Sequence, residues 1–175
     1  MQSFEGDVQY AYGFEAGQIL KQIHKIPAPK GMEDWESYFN RKASYKIKMY
    51  EKCTIKYESG DAFIDYINNT HRHLFKGRPR TYQHGDYHIG NMMIGDDKQL
   101  YIIDFNRNDF GDPWEEFNRI VWCAPNTPLF ATGMVNGYFD CVVPAEFWEL
   151  LAFYISSNTL SSVPWQFLLA RNKFK

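Results

Sequence analysis

Three polar residues near the middle of the 175-residue chain have the types and spacing that phosphate chemistry needs: Asp86, Asn91 five positions later, and Asp104 thirteen positions after that. Asn and Asp supply the hard oxygen ligands that suit Mg²⁺ held partly by protein and partly by phosphate oxygens. Asp86 is then free to face a hydroxyl nucleophile. Together the three predict phosphoryl transfer, because its loose transition state needs positioning and charge neutralisation more than a strong base.

A β-hairpin is predicted between the last two of these residues. The short apolar runs 92–94 and 100–103 are separated by the polar turn 95–99, a pattern typical of two paired strands. A tight hairpin folds the chain back on itself. We therefore expect it to bring the three polar side chains together.

Helices are predicted on both sides of the hairpin, from apolar residues at helical spacing and from Pro, Gly and capping residues at the ends. Asp112-Pro113-Trp114-Glu115 has the form of a helix start, with an acid at the N-cap and Pro at the first helical position. The tail 163–175 shows no such period. The other predicted helices cover 14–24, 33–56, 61–75 with Asp61 as a cap, 129–139 and 145–156.

Composition indicates one folded domain in the cytoplasm. The chain is 45% hydrophobic and 18% aromatic, and its net charge of -2 does not favour nucleic acid or an anionic membrane as a partner. Three widely spaced cysteines without a C-x-x-C pair predict reduced, buried thiols. The sequence has no apolar run of membrane-spanning length, and acids stand near its amino terminus where a secretion signal carries basic residues.

The order of the motif is similar to the catalytic loop and metal-binding Asp of protein kinases. Two departures argue against a protein kinase regulated by activation-loop phosphorylation. Gly85 precedes Asp86 where most protein kinases carry Arg, and no Ala-Pro-Glu follows. The segments HGDYHIGNMM and IIDFNRNDFGDPWEE instead resemble the aminoglycoside phosphotransferase family and its choline-kinase-like relatives, and the resemblance covers roughly residues 14–153.

The resemblance implies an α+β, mainly helical fold, the carboxy-terminal lobe of a kinase-like protein, whose central hairpin carries the catalytic loop and the metal-binding Asp. It implies that Asp86 is the catalytic residue and that Asn91 and Asp104 hold Mg²⁺ and, through it, ATP or GTP. His84 is expected to brace the loop from the core, and Asp112 to brace the loop and cap the next helix. The single lobe, 1–175, would comprise a helix and loop at 14–31, the motifs at 84–116 and helices at 117–162.

A nucleotide-binding lobe is not found in the sequence. G-x-G-x-x-G does not occur, and Gly85, Gly90 and Gly95 have the spacing of a P-loop without its Lys-Ser/Thr. The family resemblance begins within the first twenty residues. We therefore expect the amino-terminal lobe to be absent, and the chain alone to bind ATP poorly and to transfer phosphate slowly or not at all.

The acceptor is predicted only as a small molecule with a hydroxyl group, and a cationic acceptor such as an aminoglycoside or an amino alcohol is one alternative. Acids outnumber Arg107 and Arg119 around the motif, although a solvated, charged helix start explains this pattern equally well. The acids that outnumber the two arginines are Asp104, Asp109, Asp112, Glu115 and Glu116. His88 is predicted either to be a loop residue without such a role or to touch phosphate or substrate. Five aromatic residues are candidates for lining an acceptor pocket, and core packing is the alternative for each: Trp114, Trp122, Trp148, Tyr138 and Phe147.

Two other functions are compatible with the same residues. A non-catalytic binding or scaffold domain would keep the lobe without nucleotide chemistry, and the missing nucleotide motifs favour it. A Mg²⁺-dependent phosphohydrolase would direct the carboxylates at water, but the sequence lacks the acid cluster of a two-metal site.

Overall fold

The structure, a computed structural model, describes residues 4–69 and 72–172, with side chains up to residue 164. Its four strands form two separate two-stranded antiparallel sheets, β1 with β4 and β2 with β3. The α-helices are α1 Gly6–Ile23, α2 Trp35–Glu51, α3 Gly60–Asn69, α4 Pro128–Tyr138 and α5 Ala145–Asn172; the strands are β1 Thr81–Gln83, β2 Met92–Ile94, β3 Leu100–Ile102 and β4 Asp109–Gly111; and 3₁₀ segments cover Arg72–Phe75, Ile89–Asn91, Phe105–Arg107 and Glu115–Trp122.

The chain divides into two compact units. The first comprises Met1–Met32 and Pro79–Phe147, and the second comprises Glu33–Arg78 and Trp148–Lys175. The five residues predicted for catalysis, metal binding and support of the loop all lie in the first unit: His84, Asp86, Asn91, Asp104 and Asp112. The single-lobe organisation expected from the sequence stays a prediction.

Direct contact between the backbones of α1 and α4 forms the centre of the first unit. A Cβ atom at Gly17 would collide with the carbonyl oxygen of Met134, and one at Gly137 with that of Phe14. Because residues four apart lie on one face of a helix, each helix presents a pair of glycines to the other. The four glycines are Gly13 and Gly17 on α1, and Gly133 and Gly137 on α4.

The predicted hairpin is confirmed. Met92 pairs with Ile102 and Ile94 with Leu100. Lys98 adopts the left-handed conformation in the turn (φ 61°), which closes with a bond from the Gly95 N–H to the Gln99 carbonyl oxygen. The sheet of β1 and β4 was not predicted, because three-residue strands are too short to show a period of two.

An aromatic cluster fills the core of the second unit. Phe39, Phe75 and Tyr154 are buried and pack ring against ring. The Trp35 indole Nε1 donates to the Tyr154 hydroxyl at 2.9 Å, so the polar groups of this cluster are bonded to each other. The cap of α2 is Asp34, whose side chain accepts from the Ser37 N–H.

Several predicted element boundaries were wrong. The helix predicted from residue 14 begins at Gly6, where contacts with α4, such as Asn136 Nδ2 to the Tyr10 hydroxyl, compensate for the weak periodicity. The helix predicted over 61–75 ends at Asn69 and is followed by a 3₁₀ segment, with residues 70 and 71 outside the described part. Asp61 lies in the first turn of α3 rather than before it.

The carboxy-terminal helix is longer than predicted. α5 continues beyond residue 156 and through Pro164 to Asn172, while 173–175 lie outside the described residues. The cysteines are free thiols, but only Cys123 is buried and Cys141 is exposed. Over the described residues, no helix combines the length and the apolar character needed to cross a bilayer.

Candidate active site

The loop between β1 and β2 begins at His84, a fully buried residue whose two ring nitrogens are both engaged. Nε2 lies 2.9 Å from the Ile103 carbonyl oxygen, and Nδ1 lies 3.3 Å from the Asp86 N–H. Since a carbonyl only accepts and an N–H only donates, the ring is the neutral tautomer with its proton on Nε2. His84 therefore connects the start of the loop to the end of the hairpin.

Gly85 is held in a conformation that a side chain would disrupt. Its φ is +81°, and a Cβ atom there would collide with the Arg107 carbonyl oxygen. Its N–H donates to the Glu116 carboxylate, 2.9 Å from one oxygen and 3.3 Å from the other. The backbone before Asp86 is thus fixed from two sides.

Gly85→Ala is expected to lower the free energy of unfolding by more than about 3 kcal/mol, from about 1–2 kcal/mol of left-handed strain plus the backbone collision. Urea unfolding measures the loss. Gly31→Ala is the matched control, because Gly31 has φ +87° and an added methyl group there would meet no described atom within 4 Å. Equal losses for the two variants would contradict the role of the Arg107 contact.

The Asp86 carboxylate is mostly shielded from solvent and is surrounded by cationic or hydrogen-bonding groups. Arg119 Nε lies 3.2 Å from Oδ1, and Arg107 Nη1 lies 3.7 Å from Oδ2. His88 Nε2 is 3.7 Å from Oδ1. Two guanidinium groups therefore lie next to the Asp86 carboxylate.

His88 connects Asp86 to an aromatic surface. Its Nδ1 accepts from the Gly90 N–H at 3.0 Å, and its ring stacks on Trp122 with centroids 5.2 Å apart. Burial lowers the pKa of His88, although the nearby Asp86 charge acts in the opposite direction. A neutral ring that accepts at Nδ1 carries its proton on Nε2, the nitrogen facing Asp86.

Asn91 and Asp104 are neighbours through the hairpin. The Ile103 N–H donates to the Asn91 carbonyl oxygen at 3.0 Å, and the Asn91 side-chain Nδ2 donates to the Asp86 carbonyl oxygen at 2.9 Å. These bonds leave Asn91 Oδ1 as an acceptor. Asp104 is exposed in a left-handed conformation (φ 66°), and no donor among the described residues bonds to its carboxylate.

This donor set fits one Mg²⁺ ion that shares its coordination with other ligands. An amide oxygen and a carboxylate are both hard donors. Among residues 4–69 and 72–172, no group of three His, Cys, Asp or Glu side chains has the arrangement to hold a metal. An ion at Asn91 and Asp104 would therefore take its remaining ligands from phosphate oxygens and water.

Asp112 is fully buried where β4 leads into the 3₁₀ segment. Its Oδ1 accepts from the Trp114 N–H at 2.9 Å, and its carbonyl oxygen accepts from Gln83 Nε2 at 2.7 Å. A 3₁₀ segment, Glu115–Trp122, follows instead of the predicted helix, and it begins two residues later than predicted, with Trp114 rather than Asp112 at the N-cap.

Sequence reasoning did not give Glu116 a role inside the protein. Its side chain is buried beneath the loop, where it accepts from Gly85, and its Oε2 lies 3.8 Å from His24 Nε2. His24 in turn lies 2.9 Å from the Tyr138 hydroxyl through Nδ1. A buried acid cannot be distinguished from a surface acid by spacing alone, so no local signal indicated this network.

Tyr87 forms a second connection from the loop to α1. Its ring is buried, and its hydroxyl donates to the Ala16 carbonyl oxygen at 2.7 Å. Burial, with the Glu116 charge nearby, raises the pKa of the Tyr87 phenol well above its ordinary value, so the hydroxyl stays a donor.

Of the aromatic residues considered for an acceptor pocket, Tyr138 and Phe147 are buried in the core, whereas Trp122 is exposed.

Comparison with known proteins identifies the family of the chain and a similar fold. The profile of the phosphotransferase enzyme family, APH, matches residues 2–152, and the chain belongs to this family. The fold is similar to that of APH(2")-IIa in its ternary complex with streptomycin and ATP, with a TM-score of 0.54 and 17% identity over 78% of this chain and 50% of that chain. This chain thus spans about half the length of that structure. No curated protein matches the sequence.

These findings confirm the family and the mainly helical, kinase-like fold class expected from the sequence. At 17% identity the structural likeness shows the fold alone. The roles of the individual site residues stay predictions.

Proposed function

We propose that this chain carries the reaction half of a Mg²⁺-dependent phosphotransferase that moves the γ-phosphate of ATP or GTP to a hydroxyl group of a small molecule. One observation supports this most strongly. The Asn91 amide bonds to the backbone of Asp86, and the Asn91 carbonyl bonds to the residue before Asp104. A carboxylate for the nucleophile and two oxygen donors for a metal therefore lie in one connected arrangement.

In this proposal Asp86 accepts a hydrogen bond from the acceptor hydroxyl, orients it towards the γ-phosphorus, and takes its proton as the new O–P bond forms. The bond from the γ-phosphorus to the β–γ bridging oxygen breaks in the same step, and the nucleoside diphosphate leaves. Asn91 Oδ1 and the Asp104 carboxylate would hold Mg²⁺, which when bound neutralises charge on the phosphate oxygens. His84, Gly85 and Glu116 hold the loop in place, so that little reorganisation accompanies the reaction.

The chain alone is proposed to bind nucleotide weakly. Within residues 1–175 there is no G-x-G-x-x-G and no P-loop Lys-Ser/Thr signature. Calorimetric titration of the 175-residue chain with Mg²⁺-ATP tests this, and a dissociation constant in the low micromolar range would contradict it.

Asp104→Asn is expected to raise the Mg²⁺ concentration for half-maximal phosphate transfer about tenfold or more, because a neutral amide replaces the charged ligand. Transfer of label from γ-labelled ATP to a panel of hydroxyl compounds measures the activity, and Mn²⁺ binding by water-proton relaxation measures the metal site directly. Asp96→Asn is the matched control, since Asp96 is an exposed acid in the hairpin turn. An unchanged metal dependence in Asp104→Asn would exclude the assigned ligand.

A non-catalytic binding domain is the second candidate. The 3.2 Å approach of Arg119 to Asp86 favours it, because the guanidinium fills part of the space beside the carboxylate that a hydroxyl needs. The exposed, unbonded Asp104 carboxylate favours the enzyme instead. Substitution of Asp86 distinguishes the two.

A further inference from the structure

The acids around the motif are mostly not on the surface where an acceptor would bind. Asp112, Glu115 and Glu116 are buried, with exposed fractions of 0%, 9% and 3%. Asp112 accepts from the Trp114 N–H and Glu116 from the Gly85 N–H. The carboxylates of Asp112 and Glu116 are therefore engaged inside the protein. Because Glu115 is buried as well, these three acids do not present negative charge to a cationic acceptor.

The groups closest to Asp86 are positively charged. Arg119 approaches within 3.2 Å, its side chain is only 20% exposed, and its buried Nε has no hydrogen bond of good geometry. When Asp86 takes the proton of the acceptor hydroxyl, the carboxylate becomes neutral and this guanidinium loses its counter-charge. A largely buried guanidinium without a counter-charge is costly, so the occupied site needs another anion next to Arg119.

The position of Arg119 indicates that this anion belongs to the acceptor rather than to the donor. Arg119 lies on the same 3₁₀ segment as Trp122, whose 60% exposed indole stacks on His88 beside Asp86. An exposed aromatic face suits the carbon skeleton of an organic molecule. The other cation, Arg107, follows Asp104, the proposed metal ligand, by three residues, and its side chain is 56% exposed.

We propose that the acceptor carries a compact anionic group, such as a carboxylate, close to its reactive hydroxyl, and that Arg119 binds this group while Trp122 packs against the adjoining carbon atoms. This inference rests on the proposed function and specifies its substrate class. Arg119 is then a specificity-determining residue that selects hydroxy acids and excludes polycationic amino sugars. Arg is suited to this role because its planar fork matches a carboxylate.

Three probes test the inference by binding to the full chain: 4-(hydroxymethyl)benzoate, the neutral 4-(hydroxymethyl)benzamide, and the polycation kanamycin. Calorimetric titration in the presence of Mg²⁺ and a non-hydrolysable ATP analogue measures the affinities. The benzoate is expected to bind roughly tenfold to a hundredfold more tightly than the benzamide, the effect of one charge-assisted contact. Kanamycin is expected to bind most weakly.

Arg119→Gln is expected to abolish the preference for the benzoate, and Arg119→Lys to retain part of it, because Lys keeps the charge but not the planar fork. Lys30→Gln removes the same charge at an exposed position of the same unit and is expected to keep the full preference. Circular dichroism of each variant checks folding, and the Lys variant keeps the test decisive if the Gln variant does not fold.

Equal binding of benzoate and benzamide, tighter binding of kanamycin, or no binding of any probe would overturn the inference. So would an unchanged preference in Arg119→Gln. Phosphate transfer is measured separately with the same probes. A clear benzoate preference without transfer to any acceptor, even by a longer form that includes a nucleotide-binding lobe, would reject the proposed function and leave the anion site standing. Transfer to kanamycin alone would support the function and reject the anion site.

Discussion

Asp86→Asn is expected to lower the turnover number about 10²–10⁴-fold, the range found when a positioned acid–base group is removed. Asn keeps the size and one oxygen of Asp, but it cannot take a proton from the acceptor hydroxyl. The variant also loses the negative charge that faces Arg119 and Arg107. A loss of stability of about 1–3 kcal/mol is also expected, because the Arg119 side chain, only 20% exposed, is left without its counter-charge, whereas the Arg107 contact is largely exposed and contributes little.

Initial rates of phosphate transfer at saturating acceptor and Mg²⁺-ATP measure this effect, and thermal unfolding measures stability in parallel. Asp96→Asn serves as the control because Asp96 is exposed in the hairpin turn. Turnover of Asp86→Asn equal to that of the parent chain would exclude Asp86 as the catalytic residue. Turnover in neither protein, when both are measured in a longer form that includes a nucleotide-binding lobe and acceptor binding is intact, would favour the non-catalytic binding domain.

Gly17→Ala is expected to lower the stability of the first unit by about 3 kcal/mol or more, a shift of roughly 6–12 °C in the thermal midpoint. A Cβ atom at Gly17 would collide with the Met134 carbonyl oxygen, and the Tyr138 amide nitrogen would lie only 2.6 Å away. Both are backbone atoms, so relief requires the helices to separate. Ala has the higher helix propensity by about 1 kcal/mol, and this gain is too small to offset the collision.

Gly6→Ala is the matched control on the same helix. Its added methyl group meets only the Leu129 Cδ1 atom at 2.7 Å, at the far end of a flexible side chain. Scanning calorimetry of the two variants separates helix propensity from packing. Similar midpoints for Gly17→Ala and Gly6→Ala would show that α1 and α4 do not rely on direct backbone contact.

Separation of α1 from α4 is also expected to displace the loop between β1 and β2 that carries Asp86. The Tyr87 hydroxyl, one residue after Asp86, donates to the Ala16 carbonyl oxygen next to Gly17. His24, at the end of α1, lies between Tyr138 on α4 and the Glu116 carboxylate. The loop geometry therefore depends on the separation of these two helices.

The kinds of ligand atom at the candidate site and the local secondary structure around it were predictable from the sequence. Residue identity determines which ligands Asn91 and Asp104 offer, and short apolar runs around a polar turn specify the hairpin between them. The motifs that identified the family are contiguous in the chain. Local rules failed mainly at element ends, where tertiary packing overrides propensity, as at the start of α1 and the 3₁₀ segment after Asp112.

Only the tertiary structure decided which charged groups meet. Gly85 and Glu116 are 31 residues apart, and His24 and Tyr138 are 114 apart, so no periodic pattern relates them. The sequence by itself determined a loop with a carboxylate and two hard oxygen donors, which is local information. The burial of Glu116, the approach of Arg119 to Asp86 and the close contact of α1 with α4 arise when distant segments pack, because burial and charge pairing depend on non-local neighbours.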